Sequence, residues 1–176
     1  MLTKNQIGQH PEYFDRYISL LPDTDVFELL VRQPKQLKGL LQDLSEKEAE
    51  QAYAPGKWTI KEVLGHMIDT ERIFAYRCLC ISRHETQSLP GFDENAYVQY
   101  ANFNNRILAS FLEEYDLMRQ SHLALFKNLN EEMLNRTGMA NNQPVSAKAL
   151  VVITAGHELH HINLIKERYL HNLLTA

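Results

Sequence analysis

The sequence predicts an all-α protein built as a four-helix bundle, and three observations carry that prediction. Four long stretches repeat apolar residues at helical spacing, and connections rich in Pro, Gly and Asn separate them. No stretch alternates apolar and polar residues well enough to read as a strand. A chain of 176 residues suffices for one domain with a proper core, and 44% hydrophobic with 23% charged residues is ordinary for a soluble globular protein. The net charge of −4, with both signs mixed, leaves no footprint for nucleic acid. The longest apolar run, residues 149–155, is far too short to span a bilayer, and the N-terminus lacks the apolar core of a signal peptide. Cys78 and Cys80 lie two apart on a predicted helix, so they point to different faces and cannot bridge each other there. That pattern suits a reducing cytoplasm, the expected location.

Residues 1–24 read as an N-terminal extension packing on the bundle, with Tyr13, Phe14, Tyr17, Ile18 and Leu21 forming a short apolar-periodic piece. The bundle itself occupies 25–176. Its first helix runs from about Asp25 to Leu44, with a kink or break expected at Pro34. Residues 45–50 form an acidic helical turn, and Ala54-Pro55-Gly56-Lys57 punctuates the chain. The second helix starts sharply, because Thr59 followed by Glu62 matches a capping box, and it ends near Ser82. The loop 83–93 holds Pro90-Gly91 and is a candidate pocket mouth; a short helix follows at 94–100. The third helix spans about 105–129. Residues 128–143 read as a polar connection ending in the stop Asn141-Asn142-Gln143-Pro144. The fourth helix covers about 145–169.

The fourth helix carries the most informative stretch, Gly156-His157-Glu158-Leu159-His160-His161. His157 and His161 stand one turn apart, so both imidazoles leave the same face and can share one metal ion. Leu150, His157 and Leu164 fall nearly in line on a stripe that should face the core. Buried imidazoles need partners, since an unpaired buried polar group costs about 1–3 kcal/mol. His66, in the middle of the second helix, lies on or beside that helix's inward face. Three histidines would make a set of three nitrogens with open positions, which marks a catalytic rather than a structural site and suits zinc, nickel, iron(II) or copper. Separate histidines, each satisfied by hydrogen bonds, are the competing reading.

Two other metal motifs overlap these residues. Residues 157–161 also fit H-E-x-x-H, the zinc-peptidase signature with a glutamate base. Its long form would require a histidine where this chain has Glu167 and a glycine where it has Leu164, and no strand is evident to hold a peptide. A di-iron bundle needs two Glu-x-x-His copies, and Glu158 to His161 supplies only one.

Residues 58–71, Trp-Thr-Ile-Lys-Glu-Val-Leu-Gly-His-Met-Ile-Asp-Thr-Glu, resemble the second-helix signature of the DinB superfamily, especially its YfiT-like branch. His157 to His161 resembles the second signature of that family, and Pro90-Gly-Phe-Asp-Glu94 is similar to an acidic motif in the intervening loop. The likeness covers roughly residues 25–170. It implies an up-down-down-up four-helix bundle, often dimeric, with a divalent metal on three histidines that map to His66, His157 and His161. His160 falls at a position the family uses without counting it as a ligand, and Glu158 is outside the ligand set. Similar proteins are described as metal-dependent hydrolases or as S-transferases using a low-molecular-weight thiol such as bacillithiol or mycothiol. The expectation is therefore a thiol S-transferase acting on a small electrophile, with zinc or nickel as the metal, ahead of iron or manganese. A hydrolase is the alternative, and a non-catalytic metal- or ligand-binding bundle is the alternative of another class. The expected partners are the electrophile, the thiol and a second copy of the chain, with no nucleic acid or membrane.

Weaker candidates surround the triad. Asp69 is a candidate for orienting an imidazole or substrate, against a local salt bridge with Arg72. Asp93 and Tyr97 are candidates for the pocket mouth, although an aspartate just before a helix is commonly an N-cap. Arg77 and Arg83 are candidates for binding an acidic cosubstrate, against a solvated helix face. His10, His84, His122 and His171 read as surface residues.

Overall fold

The computed structural model describes residues 1–171. After two short 3-10 turns come α1 (Asp15–Ile18), α2 (Val26–Leu41), α3 (Glu46–Ala49) and α4 (Ile60–Ser82). Then follow α5 (Glu94–Ala101), α6 (Leu108–Lys127), α7 (Glu131–Asn135), the strands β1 (Thr137–Ala140) and β2 (Gln143–Ser146), and α8 (Ala147–Leu164). The last helix continues as a π turn, Ile165–Leu170.

The long helices α2, α4, α6 and α8 form the bundle. Each of α2 and α4 packs on both α6 and α8. Their directions follow from paired contacts. Gly65 meets Phe103, just before α6, and Glu71 meets Arg119 within it, so α4 and α6 run parallel. His66 meets His157 while Cys78 meets Ala147, so α4 and α8 are antiparallel. Leu30 meets Arg119 and Glu46 meets Leu108, so α2 opposes α6. The result is an up-down-down-up bundle.

Local chemistry sets the helix starts. Thr59 and Glu62 close the capping box of α4, with Glu62 N donating to Thr59 Oγ1 (3.1 Å) and Thr59 N to Glu62 Oε2 (2.7 Å). Asp25 and Ser146 cap α2 and α8 through their side-chain oxygens.

Two expectations are corrected. Pro34 does not break α2, which runs through it from Val26 to Leu41. A proline lacks the N–H that would reach back to Leu30, and the buried Arg119 guanidinium donates to that freed carbonyl instead (2.8 Å). Residues 137–146 are an antiparallel hairpin rather than a loop, with Ala140 opposite Gln143. Asn141 and Asn142 both adopt positive φ (50° and 58°), as a tight type I′ hairpin turn requires, and asparagine tolerates that backbone. The loop before α5 pairs with this hairpin: Leu89 N donates to Met139 O and Asn141 N to Leu89 O, each at 2.9 Å.

The apolar core forms two clusters, one around α8 and the N-terminal segment, the other between α4, α5, α6 and the π turn. The N-terminal segment crosses α8 closely, because Gly156 has no side chain. A Cβ there would stand 2.7 Å from the Tyr17 carbonyl oxygen. No helix of the described residues is long and apolar enough to cross a membrane.

Candidate metal centre

Helices α4 and α8 bring His66, His157 and His161 together. The Nε2 atom of His157 lies 3.1 Å from that of His66 and 3.2 Å from that of His161, and the three ligand atoms all lie within 4.8 Å of one another. All three residues are buried. Metal–nitrogen bonds of about 2.0–2.1 Å would set ligand nitrogens about 3.3 Å apart in a tetrahedral arrangement, which the two separations from His157 match.

Electrostatics favours the same occupant. Burial, with mutual repulsion among the imidazoles and from Arg16, holds His157 and His161 well below the ordinary histidine value. Burial likewise lowers His66 from 6.5 to about 4, with His160 adding to the shift. At neutral pH the rings are therefore uncharged and offer lone pairs. Three neutral rings facing one another cannot satisfy every nitrogen by mutual hydrogen bonds, and His161 Nδ1 has no hydrogen-bond partner. A cation on the Nε2 atoms would take up the lone pairs that face one another, while His161 Nδ1 stays on the far side of its ring.

Aromatic side chains fix the rings. Trp58 packs on His66 with centroids 4.8 Å apart, and Tyr17 and Phe74 meet His157 edge-on at 5.3 and 5.9 Å. Thr70 Oγ1 lies 3.4 Å from His66 Nδ1. The triad opens into a cavity of about 490 Å³ bounded by the N-terminal segment, α4, the loop at Gly91-Phe92, the hairpin and α8. Tyr17 lies on its wall, and burial pushes its phenol up to about 12, so the hydroxyl keeps its proton at neutral pH.

The other sequence candidates fall elsewhere. Asp69 does not reach the triad and instead approaches Arg72 at 3.8 Å. Asp93 caps α5, accepting from Asn95 N (2.9 Å) and Ala96 N (3.0 Å), and its side chain is outside the cavity lining. Tyr97 is exposed and packs on Phe92. Arg83 stays on the surface near Ser82 and Met133. Arg77 is not on a solvated face: it is buried and lines the cavity. His122 is no free surface residue either, since its Nδ1 lies 3.1 Å from Glu71 Oε1.

Glu158, the glutamate of the H-E-x-x-H match, faces away from the triad. Its Oε2 accepts from Arg119 Nη2 at 2.6 Å on the α6 side of the bundle. Arg119 also holds Glu71 through two bonds (2.8 and 2.6 Å) and donates to Tyr115 Oη (2.8 Å). Sequence reasoning missed this cluster, because Glu71 and Arg119 read as ordinary charged residues of amphipathic helices. It also missed Tyr17 as a wall of the cavity; the adjacent aromatics at 13, 14 and 17 were the available signal.

Residues 29–165 match the DinB superfamily. Two proteins of Oceanobacillus iheyensis, each named "Putative metal-dependent hydrolase", are 24% and 23% identical. These alignments cover 70% and 73% of this chain and 71% and 75% of theirs. In three dimensions the chain is similar to YfiT from Bacillus subtilis, described as "a probable metal-dependent hydrolase with an unusual four-helix bundle topology". The TM-score is 0.75 at 18% identity, covering 91% of this chain and 87% of that one, which speaks for the fold. With the signatures of its second and fourth bundle helices converging on one site, and its matched residues spanning the bundle, this chain belongs to the DinB superfamily.

Proposed function

We propose that the protein is a divalent-metal-dependent enzyme, a transferase that joins a low-molecular-weight thiol to a small electrophile. One observation carries this reading: three buried, uncharged ring nitrogens face one another on the wall of a cavity sized for a small molecule. His66, His157 and His161 would hold the cation, and a set of three nitrogens suits zinc or nickel ahead of iron or manganese. A bound cation supplies a lowered pKa to a coordinated thiol or water and so a nucleophile at neutral pH.

The chain's own residues prepare that site. Burial keeps the imidazoles unprotonated, so protons do not compete for the lone pairs near neutral pH. Trp58, Tyr17 and Phe74 hold the rings in place and exclude water from one side. The Tyr17 hydroxyl accepts from Arg16 Nη2 (2.8 Å) and keeps a proton that it can donate to a bound group. Glu158 takes no part, being held by Arg119 in the core.

A hydrolase is the second reading, and the names of the Oceanobacillus relatives favour it. Zinc- or nickel-loaded protein incubated with 1-chloro-2,4-dinitrobenzene, with and without bacillithiol, mycothiol or cysteine, tests the first reading. Turnover that needs both metal and thiol supports the transferase. Metal-dependent cleavage of 4-nitrophenyl acetate without thiol supports the hydrolase instead, and silence in both assays supports a binding bundle. A cytoplasmic homodimer belongs to the same proposal; light scattering at a monomer's mass would remove the dimer from it.

A further inference from the structure

Arg77 is a charged side chain with no part in holding the cation. It is buried, at 6% exposure, on the wall of the cavity that holds the triad. Buried guanidiniums are normally paired with carboxylates, as Arg119 is with Glu71 and Glu158. Arg77 forms no ion pair among the described residues. Its one hydrogen bond runs from Nη2 to the Pro90 carbonyl (2.6 Å), and its guanidinium stands 5.9 Å from the Phe92 ring centre. Most of its donors are therefore free to meet a guest. Burial lowers its pKa with no carboxylate to counter the effect, although a guanidinium stays charged at neutral pH.

Its position fixes the shape of that guest. His66, Thr70, Phe74 and Arg77 form one stripe of α4, and all four line the cavity. At about 1.5 Å per residue, Arg77 sits about 16 Å along the axis from His66. Apolar side chains, Phe74 on α4 with Leu150 and Val145 opposite, occupy the interval. The cavity thus has lone pairs with Arg16 nearby at one end, Arg77 without an ion pair at the other and an apolar middle. Glu94 is the one carboxylate residue on its wall among the described residues.

We propose that Arg77 seats an oxyanion, a carboxylate or phosphoryl group, so that the molecule handled at His66, His157 and His161 is anionic with an apolar body. The inference rests on the metal-dependent reading for what happens at the triad, but the seat itself does not need the metal. A planar guanidinium reads either oxyanion through paired hydrogen bonds.

Calorimetry on the full chain, zinc-loaded and metal-free, tests both levels with three thiol probes: 6-mercaptohexanoate, 6-mercaptohexylphosphonate and the neutral 6-mercaptohexanol. At least one anionic probe should bind about tenfold or more tighter than the alcohol in either metal state. Whichever anion gains more identifies the oxyanion. Arg77→Met should abolish the preference while leaving the alcohol's affinity unchanged, and Arg77→Lys should restore part of it. Equal affinities of all three probes for the unaltered chain would overturn the seat. A preference that survives Arg77→Met would also overturn it, and so would an Arg77→Met loss shared equally by the alcohol, which would make Arg77 a strut for the Pro90 carbonyl. If zinc strengthens none of the thiols while the anion preference persists, the metal reading fails and the seat stands.

Discussion

On one side of the seam between α4 and α8 lie His66, His157 and His161; on the other, Glu71 and Glu158 surround Arg119. Both groups are buried, and the same two helices supply most of each. Yet the two solve the problem of buried polarity in opposite ways. Around Arg119 most donors and acceptors meet their complements, Glu158 Oε1 being the one carboxylate oxygen of the cluster left without a partner among the described residues. Burial alone would raise Glu71, but Arg119 and His122 bring it below the ordinary carboxylate value. Burial pushes Glu158 up to about 7 despite Arg119, so one full carboxylate balances one guanidinium while the second can hold a proton. The histidine side has acceptors facing acceptors, no counter-charge and an open cavity. A closed network serves stability; an open one of the same depth is completed only by something from outside.

The largest effect should come from breaking the closed side. Arg119→Met strands two buried carboxylates and the Leu30 carbonyl, and denaturant unfolding should show a loss of about 3–5 kcal/mol. A loss below 1 kcal/mol would mean that water reaches the cluster.

Acid should separate the two sides next. An unfolded histidine takes a proton below about 6.5, whereas folded His66 resists down to about 4. Its contribution to stability is therefore intact above 6.5 and lost as pH falls towards 4, in total roughly 3 kcal/mol at 1.36 kcal/mol per unit. Glu71, lowered from 4.5, adds a loss that begins only below that value. Glu158 runs the other way, since its folded form keeps a proton up to about 7 and loses that advantage as pH rises from 4.5. The difference in stability between the unaltered metal-free chain and His66→Gln isolates the histidine. That difference should shrink between pH 6.5 and 4, and a constant difference would contradict the assignment.

Gly156→Ala probes the open side through its packing. The new methyl meets the Tyr17 carbonyl, and we expect about 1–3 kcal/mol of destabilisation in thermal unfolding. The smallest effect belongs to Thr59→Ala, which touches neither cluster and should cost about 1 kcal/mol from the lost cap of α4.

How much of this was legible in the sequence follows the same division. Helix boundaries were readable where chemistry is local: the Thr59–Glu62 box and the Asp25 cap announce themselves within four residues. The pair His157 and His161 was readable from one turn of helix, and its meeting with His66 came from a family resemblance rather than from spacing. The hairpin was not readable as strands, because two four-residue segments are too short to show alternation; its signal was the Asn141-Asn142 turn. Pro34 misled because the partner that satisfies Leu30 lies 89 positions away. The Arg119 cluster and the burial of Arg77 depend on which helix covers which face, and no single helix records that.

The central claim is best tested on metal binding itself. Trp58, the only tryptophan, packs on His66, so its fluorescence reports occupancy while elemental analysis counts the ion. Nickel should quench Trp58 and bind at about one equivalent per chain, and His161→Ala should lose both the quenching and the bound metal while staying folded by circular dichroism. Metal content unchanged in His161→Ala would remove that histidine from the site and contradict the account.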